Sequence, residues 1–258
     1  MTPLAGRRVL VTRPREQAAE LADALTARGA EVLLAPLIRI APPSDPEPLR
    51  RAASEIGTFD WVVLTSANAA SALCDAVSAS LGTRSLPGTV RFCAVGSVTA
   101  AGLRRLGRDA DLVAENSTAE GVVAALTAAG PVKGLRVLVP GADIGREHVA
   151  RALTDGGAEV TEVVAYRTIA AETMPDEVRQ ALASGLVDVV IFTSGSAVRS
   201  FAAILGPELP ALLRHTSVAA IGPTTASAAR ELGMPVAIQP DTYAVPALVD
   251  AIVGHYAK

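Results

Sequence analysis

The chain has 258 residues, half of them hydrophobic, and a formal net charge of −3. That length can bury one large core or two modest ones, and the charge balance lacks the basic face that a nucleic-acid backbone requires. Two cysteines without CxxC spacing, Cys74 and Cys93, argue against a disulfide framework or zinc site, and 3% aromatic content argues against base-stacking platforms.

Short β-branched runs alternate with alanine-rich stretches along the chain, the pattern of an α/β protein with parallel sheets. The predicted strands of the first half are Val9–Thr12, Val32–Ala35, Trp61–Thr65, Phe92–Val95 and Asp111–Ala114. A helix is expected from Arg15 to Arg28, stopped by Gly29. The second half repeats the plan with strands at Val137–Pro140, Val160–Val164, Val189–Thr193, Val218–Ile221 and Val236–Gln239, and a helix from Arg146 to Thr154.

The repetition is specific. GRRVLVTRPREQ answers GLRVLVPGADIG with Val9 and Val137 offset by 128, and WVVLTSANAA answers VVIFTSGSAV at the same offset. FCAVGSVTAAGLRRLG answers VAAIGPTTASAARELG, with Thr99 and Thr225 126 apart. An internal duplication of this kind predicts two similar domains.

Two segments exceed an ordinary strand. Residues 160–171 stay extended-favouring for 12 residues and residues 31–41 for 11, on the order of 40 Å at about 3.3 Å per residue. Two arrangements satisfy this. Either each long strand leaves one domain and enters the other, making the domains discontinuous in sequence, or the chain folds as two contiguous halves. Periodicity leaves them nearly even.

The polar clusters follow strands and open helices: Thr12-Arg13-Pro14-Arg15, Thr65-Ser66-Ala67-Asn68, Gly96-Ser97-Val98-Thr99 and Glu115-Asn116-Ser117-Thr118 in the first half. The second half carries Gly141 to Arg146, Thr193-Ser194-Gly195-Ser196, Gly222-Pro223-Thr224-Thr225 and Asp241-Thr242-Tyr243. Strand C-termini line the ligand crevice of open α/β sheets, and helix N-termini there favour carboxylates and phosphates. Each cluster alone is explained as a helix cap. Their recurrence at equivalent places points to a ligand role for the set.

Several constellations are missing. The first strand leads into Thr-Arg-Pro where a dinucleotide site needs glycines, and no Walker lysine occurs. The histidines, His148, His215 and His255, are scattered without the spacing of metal ligands, so no metal is expected. Tyr166 lies on the second long segment; a hydroxyl facing a cleft would be a proton donor to a leaving oxygen, although the residue taken alone favours an ordinary sheet tyrosine. A two-lobed anion receptor and a glycosyl- or nucleotidyl-transferring enzyme are the rival classes. The first is disfavoured by an N-terminus without the apolar core of an export signal, the second by the lack of a glycine phosphate loop.

Taken in order, LVTRP, WVVLTSANA, AVGSVTA, LVPGADIGREHVARAL, VVAYRT, DVVIFTSGSAVRSF and AAIGPTTASAARELG resemble the uroporphyrinogen-III synthase family from Gly6 to about Val253. The resemblance implies two flavodoxin-like parallel-sheet domains joined by a two-stranded antiparallel linker. Residues 1–36 and 172–258 would form one discontinuous domain, 41–164 the other, and 37–40 and 165–171 the linker strands. It implies cyclisation of hydroxymethylbilane, with inversion of ring D and loss of water, without a cofactor. Cysteine usage points to the cytoplasm, the charge balance to no nucleic-acid partner, the lack of an 18-residue apolar run to no membrane partner, and the lack of an exposed apolar helix stripe to a monomer. The resemblance also assigns Tyr166 as the catalytic residue. Substrate carboxylates would fall to Arg13, Ser66, Thr99, Arg146, Ser194, Gly195, Ser196, Thr224 and Thr225, in one cleft spanned by a single substrate.

Overall fold

The computed structural model describes residues 2–83, 86–114, 119–144 and 147–257. Its first elements are β1 (Arg8–Val11), α1 (Arg15–Thr26), β2 (Glu31–Leu34), β3 (Ile38–Ala41), α2 (Glu47–Ser54), β4 (Trp61–Leu64) and α3 (Ala67–Leu81). There follow β5 (Arg91–Val95), α4 (Ser97–Arg105), β6 (Leu112–Ala114), α5 (Ala119–Ala129), β7 (Arg136–Ala142), α6 (Glu147–Asp155) and β8 (Glu159–Ala170). The last are α7 (Asp176–Ala183), β9 (Val189–Phe192), α8 (Gly195–Leu205), α9 (Leu209–Leu212), β10 (Ser217–Ala220), α10 (Pro223–Glu231), β11 (Val236–Ile238) and α11 (Val245–Tyr256). Among the described residues no helix is long and apolar enough to cross a membrane.

The chain divides into two compact units, one of residues 1–39 with 169–258 and one of residues 40–168. The first unit holds a five-stranded sheet in the order β11-β10-β9-β1-β2, parallel throughout. Its strands are short apolar runs because both faces are covered. Leu10, Val190, Phe192 and Val218 face one core, while Val9, Val11, Val189, Ile191 and Ala219 face the other. This alternation is the two-residue period of a strand.

The six-stranded sheet runs β3-β8-β7-β4-β5-β6, and its pairs from β8 to β6 are parallel. Val62, Leu64, Phe92 and Leu138 point into a core against α3, and Trp61, Val63, Cys93, Val137 and Val139 into the opposite one. Pro140 sits within β7, where it has no N–H to give. The pairing of β7 with β4 covers only Val137 and Leu138, so β4 is spared a missing bond at Pro140.

The extended run of residues 31–41 is corrected by the structure. It is two strands, β2 and β3, interrupted at Ala35-Pro36-Leu37. Pro36 lacks the N–H a continuous ladder needs, and its neighbours bond elsewhere: Ala35 N–H to Val11 O at 3.0 Å and Leu37 N–H to Thr12 O at 3.2 Å. Leu37 O accepts in turn from Ala171 N–H at 2.8 Å and from the Ser200 hydroxyl at 2.7 Å. The second long run is unbroken as the 12-residue β8. The first helix stops at Thr26, two residues before Arg28, with Gly29 at φ 92°.

Candidate active site

Each sheet has one point where the chain's progress reverses. From β1 the chain steps outward to β2, while β9, β10 and β11 step the other way, so the reversal lies between the ends of β1 and β9. In the six-stranded sheet β7 and β8 go one way and β4, β5 and β6 the other, placing the reversal between β7 and β4. Ligands bind at such points because neighbouring loops part there.

In residues 40–168 the reversal joins two of the expected residues. Ser66 ends β4 in an extended conformation, φ −159° and ψ 157°, and caps α3 by accepting the Ala69 N–H at 3.1 Å. Its Oγ also lies 3.0 Å from the Tyr166 hydroxyl. Tyr166 reaches it through a bulge: β8 pairs Val164 with Gly141 but Tyr166 with Ala142, so Ala165 is the extra residue. Such a bulge re-aims the next side chain. The backbone around it is tied by Asp143, whose N–H donates to Tyr166 O at 3.0 Å and whose carboxylate accepts the Thr168 N–H at 3.1 Å.

Asn68, in the first turn of α3, lines the same cavity as Tyr166 and its amide favours the ionised form of the tyrosine hydroxyl. Sequence reasoning passed it over as part of a cap. The available signal was an asparagine in the first turn of an otherwise small, apolar helix. A cavity of about 380 Å³ opens beside the ring and is lined by Tyr166, Asn68, Ser71, Leu49 and Pro42, among others.

Burial pushes the Tyr166 hydroxyl above the usual tyrosine range, the bonds from Ser66 and Asn68 pull it back down, and the Asp143 charge adds to the rise. The group therefore keeps its proton at neutral pH and is suited to act as an acid. Thr99 is 4% exposed as the third residue of α4. Gly96 before it has φ 81°, a left-handed conformation open to glycine. The exposed positions of that loop are Ser97 and Val98. Arg146 and residues 115–118 lie outside the described residues.

In the five-stranded unit, Arg13 leaves the end of β1 beside the β9 end that carries Thr193 and Ser194. Its Nε is buried without a hydrogen-bond partner among the described residues. Burial lowers its pKa, with Glu20 opposing weakly; a guanidinium nevertheless stays charged. Thr12 next to it is fully buried and donates to Ile191 O at 2.7 Å, a structural role.

Ser194 caps α8 as Ser66 caps α3, accepting the Ala197 N–H at 3.2 Å, and Gly195 and Ser196 open the helix. A Cβ on Gly195 would stand 3.3 Å from Arg199 Nη1, so the glycine lets that guanidinium lie across the first turn. Thr224 is exposed as the second residue of α10, and Thr225 is 6% exposed as the third. The half-exposed Tyr243 ring packs against Gly222, where a Cβ would come within 3.2 Å.

Both thiols are buried, and burial pushes Cys74 and Cys93 up to about 11, which favours the protonated form at neutral pH. No group of three metal-ligating side chains occurs among the described residues.

These features can be set beside known proteins. The family model described as "Uroporphyrinogen-III synthase HemD" matches residues 19–250. A uroporphyrinogen-III synthase of Synechococcus elongatus is 35% identical over 256 residues, covering 97% of this chain and 96% of that one.

The chain belongs to the uroporphyrinogen-III synthase family.

A second family member, from Chlorobaculum parvum, is 26% identical over 247 residues, 95% of this chain and 97% of its own. Among solved structures, a mutant uroporphyrinogen III synthase of Thermus thermophilus superposes with a TM-score of 0.68 over 97% of this chain and 98% of that one. At 20% identity this shows the fold alone, an α/β architecture with predominantly parallel sheets.

Proposed function

We propose that this synthase of tetrapyrrole biosynthesis takes hydroxymethylbilane, closes it with inversion of ring D, and releases uroporphyrinogen III and water. The observation that carries the reading is the Tyr166–Ser66 bond of 3.0 Å over the N-terminus of α3. A protonated phenol there is placed to give its proton to the hydroxyl leaving the terminal methylene. Water departs and an electron-poor azafulvenium remains. Ring D attacks that carbon through its own substituted position, and the spiro intermediate rearranges. Re-aromatisation releases one proton, which returns to the phenolate, so the cycle balances as the loss of one water. No metal or organic cofactor is assigned to any step.

The substrate is flexible and polyanionic, so holding its geometry accounts for much of the rate. Arg13 suits a carboxylate, because a buried guanidinium with an unmet N–H gains most from an ionic acceptor. The first turns of α8 and α10, with Ser194, Gly195, Ser196, Thr224 and Thr225, offer backbone N–H groups to further carboxylates. Ser66, Thr99 and Arg146 take the same role in the other unit, the Thr99 amide rather than its buried side chain making the contact.

The finer fold reading is two flavodoxin-like domains, divided near residues 39 and 168 and joined by β3 and β8 as an antiparallel pair. The order of contacts supports the pairing sense, 37 with 171 through the Ala171 N–H to Leu37 O bond at 2.8 Å and 42 with 167 through the Arg167 side-chain Nε to Pro42 O at 2.9 Å. The test is direct. Hydroxymethylbilane is generated in situ with the protein present, and the products are oxidised and separated. Type III porphyrin is expected; type I alone would overturn the reading.

A further inference from the structure

The hydrogen bonds around Tyr166 have a direction that can be worked out. Ser66 Oγ already accepts the Ala69 N–H at 3.1 Å, which leaves it one further acceptor site and one proton. The Tyr166 hydroxyl, 3.0 Å away, either donates to Ser66 or accepts from it. Asn68, two residues on in the first turn of α3, lines the same cavity as the Tyr166 ring and favours the ionised phenol, the effect of an amide N–H donor.

If tyrosine donated to serine, the proton offered to a leaving group would come from an aliphatic alcohol, a far weaker acid than a phenol of pKa near ~10. If serine donates to tyrosine, both Ser66 and Asn68 point protons at the phenolic oxygen, and the tyrosine proton is left to face the substrate. As that proton moves away, negative charge grows where two donors already point. It grows, too, at the N-terminus of a 15-residue helix, whose partial positive charge favours an anion.

We propose that Ser66 and Asn68 are positioning residues for the proton transfer, a two-donor cradle for the Tyr166 phenolate presented by the first turn of α3. This rests on the reading of Tyr166 as the acid. It gives Ser66 a task other than holding a substrate carboxylate, and gives Asn68 one for the first time. The charged groups nearby are Asp143 beyond β7, which disfavours the phenolate, and Arg50 and Asp75, which line the ring's cavity from α2 and α3. The cradle works against Asp143 and against burial. It acts like an oxyanion hole whose anion belongs to the enzyme.

The experiment is a set of double-mutant cycles. Asn68→Ala and Ser66→Ala are made in the wild-type and Tyr166→Phe backgrounds, with Ser66→Thr as the variant that retains both hydroxyl and cap. In the wild-type background each alanine variant should lose roughly tenfold in kcat, the value of about one hydrogen bond, with KM within about twofold. In the Tyr166→Phe background the same changes should alter kcat less than about twofold, and Ser66→Thr should restore most of the loss.

An alkaline absorbance titration, wild type minus Tyr166→Phe, isolates the Tyr166 phenolate without any turnover. Its midpoint should move up when Asn68 becomes Ala, because a donor to the ionised form has gone. An unmoved midpoint, equal losses in both backgrounds, or a rise in KM with kcat unchanged would overturn the cradle. Failure of the wild type to form type III porphyrin overturns the proposed function instead, and the titration still decides the cradle.

Discussion

The two units carry the same loop in the same geometry and equip it differently. Ser66 and Ser194 stand at φ −159°, ψ 157° and φ −155°, ψ 150°, and each accepts the N–H three residues on, at 3.1 and 3.2 Å. At the repeat offset of 128, however, Tyr166 answers to Ile38 and Arg13 to Gly141. The six-stranded unit thus has a tyrosine hydroxyl over its capped helix and Gly141 where the other unit has Arg13. The five-stranded unit has a buried guanidinium at Arg13 and Ile38 where the other has Tyr166, its own tyrosines, Tyr243 and Tyr256, lying elsewhere in the repeat. Duplication supplied two similar scaffolds, and under the proposed function the differences at these two positions divide acid from anchor.

The widest break in that division is Tyr166→Phe. It should lower kcat about 100-fold, the small end of general acid catalysis, while KM stays within about threefold. Ser194→Ala, in the unit where Ile38 stands in place of Tyr166, should instead raise KM with kcat nearly constant. Steady-state rates with hydroxymethylbilane check both. A kcat loss for Ser194→Ala as large as that for Tyr166→Phe would erase the distinction between the units.

Arg13→Met probes the other member. A charged hydrogen bond of about 2 kcal/mol predicts a rise in KM of roughly 30-fold. The free protein should melt at the same temperature or higher, because a desolvated and incompletely paired charge is replaced by a side chain of similar volume. Thermal denaturation without substrate provides that measurement. A lower melting temperature with unchanged KM would make Arg13 structural.

The repeat offsets, strand positions and strand-end loops were legible because each depends on local pattern. The Tyr166–Ser66 bond was not, since it joins residues 100 apart through a bulge at Ala165. Periodicity has no mark for an inserted residue in a 12-residue strand. The burial of Thr99 and Thr225 was missed for a different reason. In Gly-x-x-Thr the threonine is the third helical residue and its side chain is buried, so the motif that suggested a substrate contact withdraws its hydroxyl from solvent. The desolvation of Arg13 depends on packing that no neighbouring residue in the sequence reports.

A smaller difference between the units lies in how their first helices are packed. Ala67 opens α3 and Gly102 lies in α4, where a Cβ would stand 2.7 Å from Ala67 Cβ. At the offsets of 128 and 126 the equivalents are Gly195 and Ala228, the same pair reversed, and a Cβ on Gly195 would clear Ala228 Cβ at 3.5 Å. Gly102→Ala should therefore cost about 1.5 kcal/mol, overpacking outweighing the gain in helix propensity. It should also reduce kcat, because Ala67 lies between Ser66 and Asn68. Adding Ala67→Gly reproduces the arrangement of the other unit and should recover most of the stability. Denaturant melts of the single and double variants decide it; equal losses in both would show that the exchange is not compensatory.

The mildest asymmetry is alkaline sensitivity. Both cysteines belong to the 40–168 unit, and burial holds their thiols at about 11 instead of the ordinary 9.0. Above pH ~9 the unfolded chain loses those protons while the folded chain keeps them, so the native state binds more protons and stability falls as pH rises toward 11. At pH 10 each thiol should contribute about 1 kcal/mol of destabilisation relative to neutral pH. The loss should be specific to the unit that carries both. Hydrogen exchange compared between pH 8 and 10, corrected for the intrinsic rate, should show the cores beside Cys74 and Cys93 loosening before the core around Val9, Leu21 and Val189. Cys74→Ala with Cys93→Ala should flatten the pH dependence even if the double variant is less stable at neutral pH, because what the thiols contribute is the slope. A slope that persisted without them would assign it to the raised hydroxyls of Tyr166 and Tyr256, which move in the same direction from a higher starting point.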